Sequence, residues 1–148
     1  PEPLLYLGLY LKTHRQTYYR LLQDVRLKGD WETWLEFFLI GVAETANNAY
    51  DSAMRIVALF RNDRERISAA GDQTNSMLRI HELLQTHPFV NAAQAQRQTG
   101  LSAPTVNKAF EALESLGVVR EVTGKQRGRV FAYGAFLDIL DEGTDVSA

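Results

Sequence analysis

The chain has 148 residues, a formal net charge of -2 and no cysteine. That length holds one ordinary domain or two small ones, and 45% apolar with 23% charged residues argues for a packed core over disorder. The near-neutral balance gives no global attraction to nucleic acid or an anionic membrane, and the lack of thiols excludes a disulfide framework or a thiolate metal site and fits a reducing cytoplasm.

The chain opens on Pro1 rather than Met, which reads as a piece of something longer. The apolar run Leu4-Leu5-Tyr6-Leu7-Gly8-Leu9-Tyr10-Leu11 is far shorter than the roughly 20 residues of a membrane span. It has no basic leader, so it reads as a buried helix, and no membrane association is expected. One helix is expected over residues 3–25, with Tyr18, Leu21, Leu22 and Val25 continuing one face. Lys28-Gly29-Asp30 breaks it: glycine suits a left-handed turn after a helix, and Asp30 can cap the next one.

From there Trp31, Trp34, Leu35, Phe38, Leu39, Val42, Ala46, Ala49, Tyr50, Ala53 and Val57 recur at three- and four-residue spacing. This predicts a long amphipathic helix running toward Ile67, with a bend at Asn47-Asn48. Its aromatic face (Trp31, Trp34, Phe37, Phe38) is assigned to the core, with an interaction surface as the alternative. Arg61-Asn62-Asp63-Arg64-Glu65-Arg66 reads as a solvated face with local ion pairs. Gly71-Asp72-Gln73-Thr74 is the expected boundary between a helical segment, 1–71, and a second domain, 72–148.

Charge divides along the same line. Through Gly71 there are 9 basic and 9 acidic residues; from Asp72 to Gly134 there are 7 basic and 5 acidic. The only charged residues that follow are acidic: Asp138, Asp141, Glu142 and Asp145. The middle of the second half is therefore locally positive.

That half has an ordered grammar. Residues 75–86 form a helix carrying Met77, Leu78, Ile80, Leu83 and Leu84, interrupted by His87-Pro88-Phe89-Val90 because proline disfavours a helical residue before it. Asn91 can cap a short helix over 92–99. Gly100-Leu101-Ser102 is then a tight turn, with Ser102 as N-cap and Pro104 in the first turn of the next helix, which bears Val106, Phe110, Leu113 and Leu116 inward. Gly117 ends it. Residues 118–122 and 129–133 read as two strands joined through Thr123-Gly124-Lys125-Gln126-Arg127-Gly128, and a short helix follows around Phe136 to Leu140. The expected fold is mainly α with a small β-hairpin: a helical N-terminal half, then a winged helix-turn-helix.

Such a module presents the second helix of its helix-turn-helix to a DNA major groove. The candidate DNA-binding residues are Ser102 and Thr105 for phosphates, Asn107 and Lys108 for base edges or backbone, and Lys125, Arg127 and Arg129 in the wing. Glu111 and Glu114 weaken any cationic surface on that helix, so protein interaction or intramolecular regulation is the competing reading. No catalytic or metal-binding residue is assigned. His14, His81 and His87 lack paired ligand spacing, Gly124 to Gly128 lacks the ending of a P-loop, and there is no Gly-x-Ser-x-Gly elbow.

Several stretches resemble the C-terminal region of Fic-domain proteins. They are Pro3-Leu4-Leu5-Tyr6-Leu7 with His14-Arg15-Gln16-Thr17-Tyr18-Tyr19-Arg20-Leu21-Leu22, then Gly29-Asp30-Trp31-Glu32-Thr33-Trp34-Leu35-Glu36-Phe37-Phe38-Leu39. Further on they are Gly100-Leu101-Ser102 with Thr105, Leu116-Gly117-Val118-Val119-Arg120-Glu121, and Gly124 to Tyr133. The resemblance implies a parent that transfers AMP from ATP, with Mg²⁺, to a protein hydroxyl through a His-Pro-Phe-x-Asp/Glu-Gly-Asn-Gly-Arg loop. In family order that loop precedes this segment, so this chain is expected to be non-catalytic and to hold no cofactor, with the upstream catalytic core as a partner. His87-Pro88-Phe89 matches three letters of the loop, but Val90-Asn91-Ala92-Ala93-Gln94 follows, with no metal-holding carboxylate and no glycine-built anion nest. A second reading makes the chain a free-standing transcriptional regulator, its N-terminal helices forming a homodimer and its winged helix binding operator DNA.

Overall fold

A computed structural model describes residues 7–125 and 127–142. The element order is α1 (Leu7–Thr13), α2 (Arg15–Lys28), α3 (Trp31–Ala69), α4 (Thr74–Leu84), β1 (Phe89–Asn91), α5 (Ala92–Thr99), α6 (Ala103–Ser115), β2 (Arg120–Glu121), β3 (Val130–Ala132) and α7 (Gly134–Glu142). Mostly helical, with a small antiparallel sheet and a winged helix-turn-helix in the C-terminal half, this is the fold class the sequence implies. The chain forms two compact units, residues 1–54 with 140–148 and residues 55–139. The turn at 71–74 is present, with Gly71 and Gln73 both left-handed at φ 80° and 70°. The units, however, divide earlier, inside α3, because the last turns of that helix pack with the winged helix.

In the first unit the single helix expected over 3–25 is two: α1 and α2 meet at His14, whose φ of -99° and ψ of 30° leave the helical region. The His14 ring lies tilted against that of Tyr10, centroids 4.3 Å apart, and its Nδ1 lies 3.0 Å from the Tyr10 carbonyl. Residues 1–6 of the apolar opening lie outside the described residues. The rest of it, as α1, contains no buried residue, so the opening is a half-covered surface helix. Gly29 at φ 69° closes α2, with its N–H on the Val25 carbonyl, and Asp30 accepts from the Thr33 N–H and hydroxyl, as their positions predict.

α3 is uninterrupted across Asn47-Asn48. Its aromatic face is only partly core. Trp34 stacks on Phe38 at 5.3 Å and Tyr10 packs on Phe37, but Trp31 is 59% exposed. Leu35, Leu39, Tyr50 and Met54 stand in water as well. The two stripes diverge because the residues facing Tyr10 (Phe37, Gly41) lie a quarter-turn or more around the helix from Leu35 and Leu39.

The second unit holds the fully buried core: Ile67, Met77, Ile80, Leu84, Val90, Ala95, Val106, Ala109, Phe110, Leu113, Val118, Phe131 and Tyr133. Phe110 of α6 stacks on Phe131 of β3 at 4.2 Å, joining helix and sheet. The sheet has order β1-β3-β2, so the expected hairpin gains a third strand. Phe89, Val90 and Asn91 pair antiparallel with Ala132, Phe131 and Val130. The His87-Pro88-Phe89 segment is thus a strand entry, and the Pro88 carbonyl accepts the Tyr133 N–H at 2.9 Å. The short helix expected around Phe136 to Leu140 is present and somewhat longer, running from Gly134 to Glu142.

The sequence 61–66 is not wholly a solvated face. Asp63 is 4% exposed; its Oδ2 accepts from the Tyr133 hydroxyl at 2.7 Å and its Oδ1 from Arg66 at 2.8 Å. Arg66 also donates to the Leu116 carbonyl at the end of α6. Arg64, by contrast, makes an exposed pair with Glu82 at 3.1 Å, of the kind that adds little. Since Tyr133 donates to Asp63, His81 Nε2 at 3.3 Å donates to the Tyr133 oxygen, and Gln85 then donates to His81 Nδ1 at 3.4 Å. Phe60 packs against His81, Tyr133 and Phe136. Burial, aided by the Asp63 carboxylate, raises the Tyr133 pKa.

Tyr133→Phe keeps the ring but strips Asp63 and His81 of a partner, and is expected to cost about 1–3 kcal/mol, read as a lower urea midpoint at unchanged slope. Burial holds His81 below its ordinary pKa of 6.5, against the pull of Asp63. Above that pH both folded and unfolded chains are neutral at this site. Below it the unfolded chain binds the proton first, so stability falls as pH drops. Urea midpoints are expected to decline as the pH falls below the ordinary histidine range, less steeply in His81→Gln.

Candidate nucleic-acid interface

The candidate residues lie at the start of α6 and in the wing. α5 is capped at both ends by local chemistry. Asn91 accepts from the Gln94 N–H at 2.9 Å while Gln94 accepts from the Asn91 N–H at 3.0 Å, and Gly100 at φ 67° closes the helix. Gly100-Leu101-Ser102 then turns the chain into α6.

Ser102 caps α6 through its oxygen, which accepts from the Thr105 N–H, and its hydroxyl lies 2.8 Å from that of Thr105. Ser102 is exposed and Thr105 half-buried, so the two residues predicted for phosphates are first of all each other's partners. One O–H of the pair remains to donate outward. Asn107 and Lys108 are exposed; Lys108 lies opposite the buried face of Val106, Ala109, Phe110 and Leu113, and Asn107 flanks that face. Glu111 and Glu114 are exposed further along; Glu114 accepts the Glu121 N–H at 3.2 Å, which ties it to the wing.

In the wing, Lys125 and Arg127 are exposed and Arg129 is half-buried, its guanidinium lying over the Phe131 ring at 5.3 Å. Gln126 lies outside the described residues. The charged group of Arg129, a candidate DNA contact from the sequence, is therefore seated on an aromatic ring. The residue that sequence reasoning missed is Glu121. Its carboxylate accepts from the Thr123 N–H at 2.8 Å, from the Thr123 hydroxyl, and from the Gly124 N–H at 2.9 Å. The Thr123 hydrogen bonds, chiefly that of its side chain, hold the Glu121 pKa below its ordinary value. The signal was present in the sequence as Glu-x-Thr-Gly, an acceptor two and three residues before its donors.

His87 borders a shallow pocket of about 140 Å³ with Leu83, Val90, Gln94, Arg97 and Gln98. No carboxylate lines it, and no group of three His, Asp or Glu residues among the described residues is placed to hold a metal ion. No helix among them is long and apolar enough to cross a membrane.

Residues 74–120 match the winged helix-turn-helix DNA-binding family. The matched span begins at the first residue of α4 and ends at β2, so it contains the whole helix-turn-helix, and the rest of the wing follows it directly.

Proposed function

We propose that the winged helix binds DNA, with α6 in the major groove and the wing on the adjacent backbone. The observation that carries this is the joint placement of Asn107 and Lys108 on the open face of α6 with Lys125, Arg127 and Arg129 in the wing, within a domain of the DNA-binding winged-helix type. Asn107 suits an adenine edge, and Lys108 a guanine edge or a phosphate. The O–H left free in the Ser102–Thr105 pair, with the N-terminus of α6, is offered to a phosphate. With few cations and two acidic residues further along α6, binding is weak and salt-sensitive, with a slope set by the few phosphate contacts these cations make.

We further propose that the chain is the non-catalytic C-terminal region of a Fic-family AMP transferase, in which this domain regulates or localises a catalytic core encoded upstream. The family-like stretches on both sides of the 71–74 turn support it. So does the uncovered stripe of Trp31, Leu35, Leu39, Tyr50 and Met54, since apolar patches of this kind mark contact surfaces. ATP and Mg²⁺ belong to that core, and the setting is cytoplasmic.

Fluorescence titration of a labelled duplex at low salt is expected to show saturable binding. Arg127→Glu combined with Arg129→Glu should weaken it by at least about tenfold and lower the salt slope by about 2. No binding, or no effect of the pair, would refute the DNA reading. The reading frame preceding Pro1 is expected to encode His-Pro-Phe-x-Asp/Glu-Gly-Asn-Gly-Arg. A start codon directly before Pro1 would remove the enzyme parent and leave a free-standing regulator, with the apolar stripe closing a homodimer on two half-sites.

A further inference from the structure

The wing carries a negative residue among its cations. Glu121 precedes Lys125, Arg127 and Arg129, and on charge alone it opposes a DNA backbone. Its hydrogen bonds suggest why it is there. One carboxylate oxygen takes the Thr123 N–H and hydroxyl, the other takes the Gly124 N–H, and the Thr123 oxygen in turn accepts the Val130 N–H at 3.4 Å from across the hairpin. The N–H of Glu121 itself reaches Glu114 on α6. Gly124, left-handed at φ 63°, then leads the chain directly into Lys125. A carboxylate accepts at both oxygens; an amide of the same shape accepts at one and would press an NH₂ against a donor.

We propose that Glu121 is a positioning residue for nucleic-acid binding: its carboxylate fixes the first bend of the wing, and so the direction in which Lys125 and Arg127 are presented, without touching DNA. This rests on the reading that the winged helix binds DNA. Fixing the bend beforehand lowers the ordering cost of binding, and this outweighs one unit of repulsion in the sign of the effect.

Two substitutions separate geometry from charge, because they alter charge differently and should act alike. Glu121→Gln removes a negative charge, so simple electrostatics predicts tighter binding. Thr123→Val leaves the charge unchanged, so electrostatics predicts no effect. The positioning role predicts that each weakens duplex binding of the 148-residue chain by about 3- to 10-fold at low salt. Binding by Glu121→Gln as tight as wild type or tighter, or an unchanged Thr123→Val, would overturn the proposal. Amide exchange of Thr123 and Gly124, measured on the same proteins without DNA, supplies an independent readout. It should accelerate in Glu121→Gln, and unchanged exchange would overturn the proposal. A wild-type chain that fails to bind duplex would instead refute the DNA reading and with it this role, while the exchange data would still report whether Glu121 holds the bend.

Discussion

Asp63 is the least exposed acidic residue of its helix, and a carboxylate withdrawn from water must find donors or destabilise the fold by several kcal/mol. It finds them in the Tyr133 hydroxyl and the Arg66 guanidinium. Through those two groups, residues far apart in sequence are joined: the tail of α3, the end of β3, α4 by way of His81, and the end of α6 by way of Arg66. Hydrogen bonds of fixed length and direction specify such a junction more narrowly than apolar packing does. The junction ties α6 and the strand beneath the wing to the tail of α3, which belongs to the same compact unit.

The helical architecture was legible in the sequence wherever periodicity and caps coincide. Asp30, Asn91 and Ser102 each cap the helix they were expected to cap, and Gly29 and Gly100 end theirs in left-handed turns. Val106, Phe110 and Leu113 are buried as their spacing requires. What escaped the reading involved partners distant along the chain. β1 is three residues long and carries no alternating pattern; it exists because β3 lies beside it. The core role of Asp63 is equally invisible in a run of mixed charges, since only the fold brings Tyr133 to it. His14 divides a helix that periodicity alone would continue, through a ring contact with its own preceding turn.

At the candidate interface the residue types were legible and their engagement was not. Asn107, Lys108, Lys125 and Arg127 stand open as expected. Ser102 and Thr105 turn much of their hydrogen-bonding capacity inward to begin α6, and Arg129 leans on Phe131. A side chain that both builds its element and faces outward has a defined orientation before any ligand arrives, which favours precise contact over broad electrostatic attraction.

Gly41 sits in α3 where a Cβ would run into the ring of Tyr10, and that ring is already confined between His14 and Phe37. Glycine weakens the middle of a helix, so its presence there reflects the room the tyrosine occupies. Positions 10 and 41 are therefore sterically coupled: a side chain at 41 fits only if the ring at 10 shrinks or moves away from its contacts with His14 and Phe37.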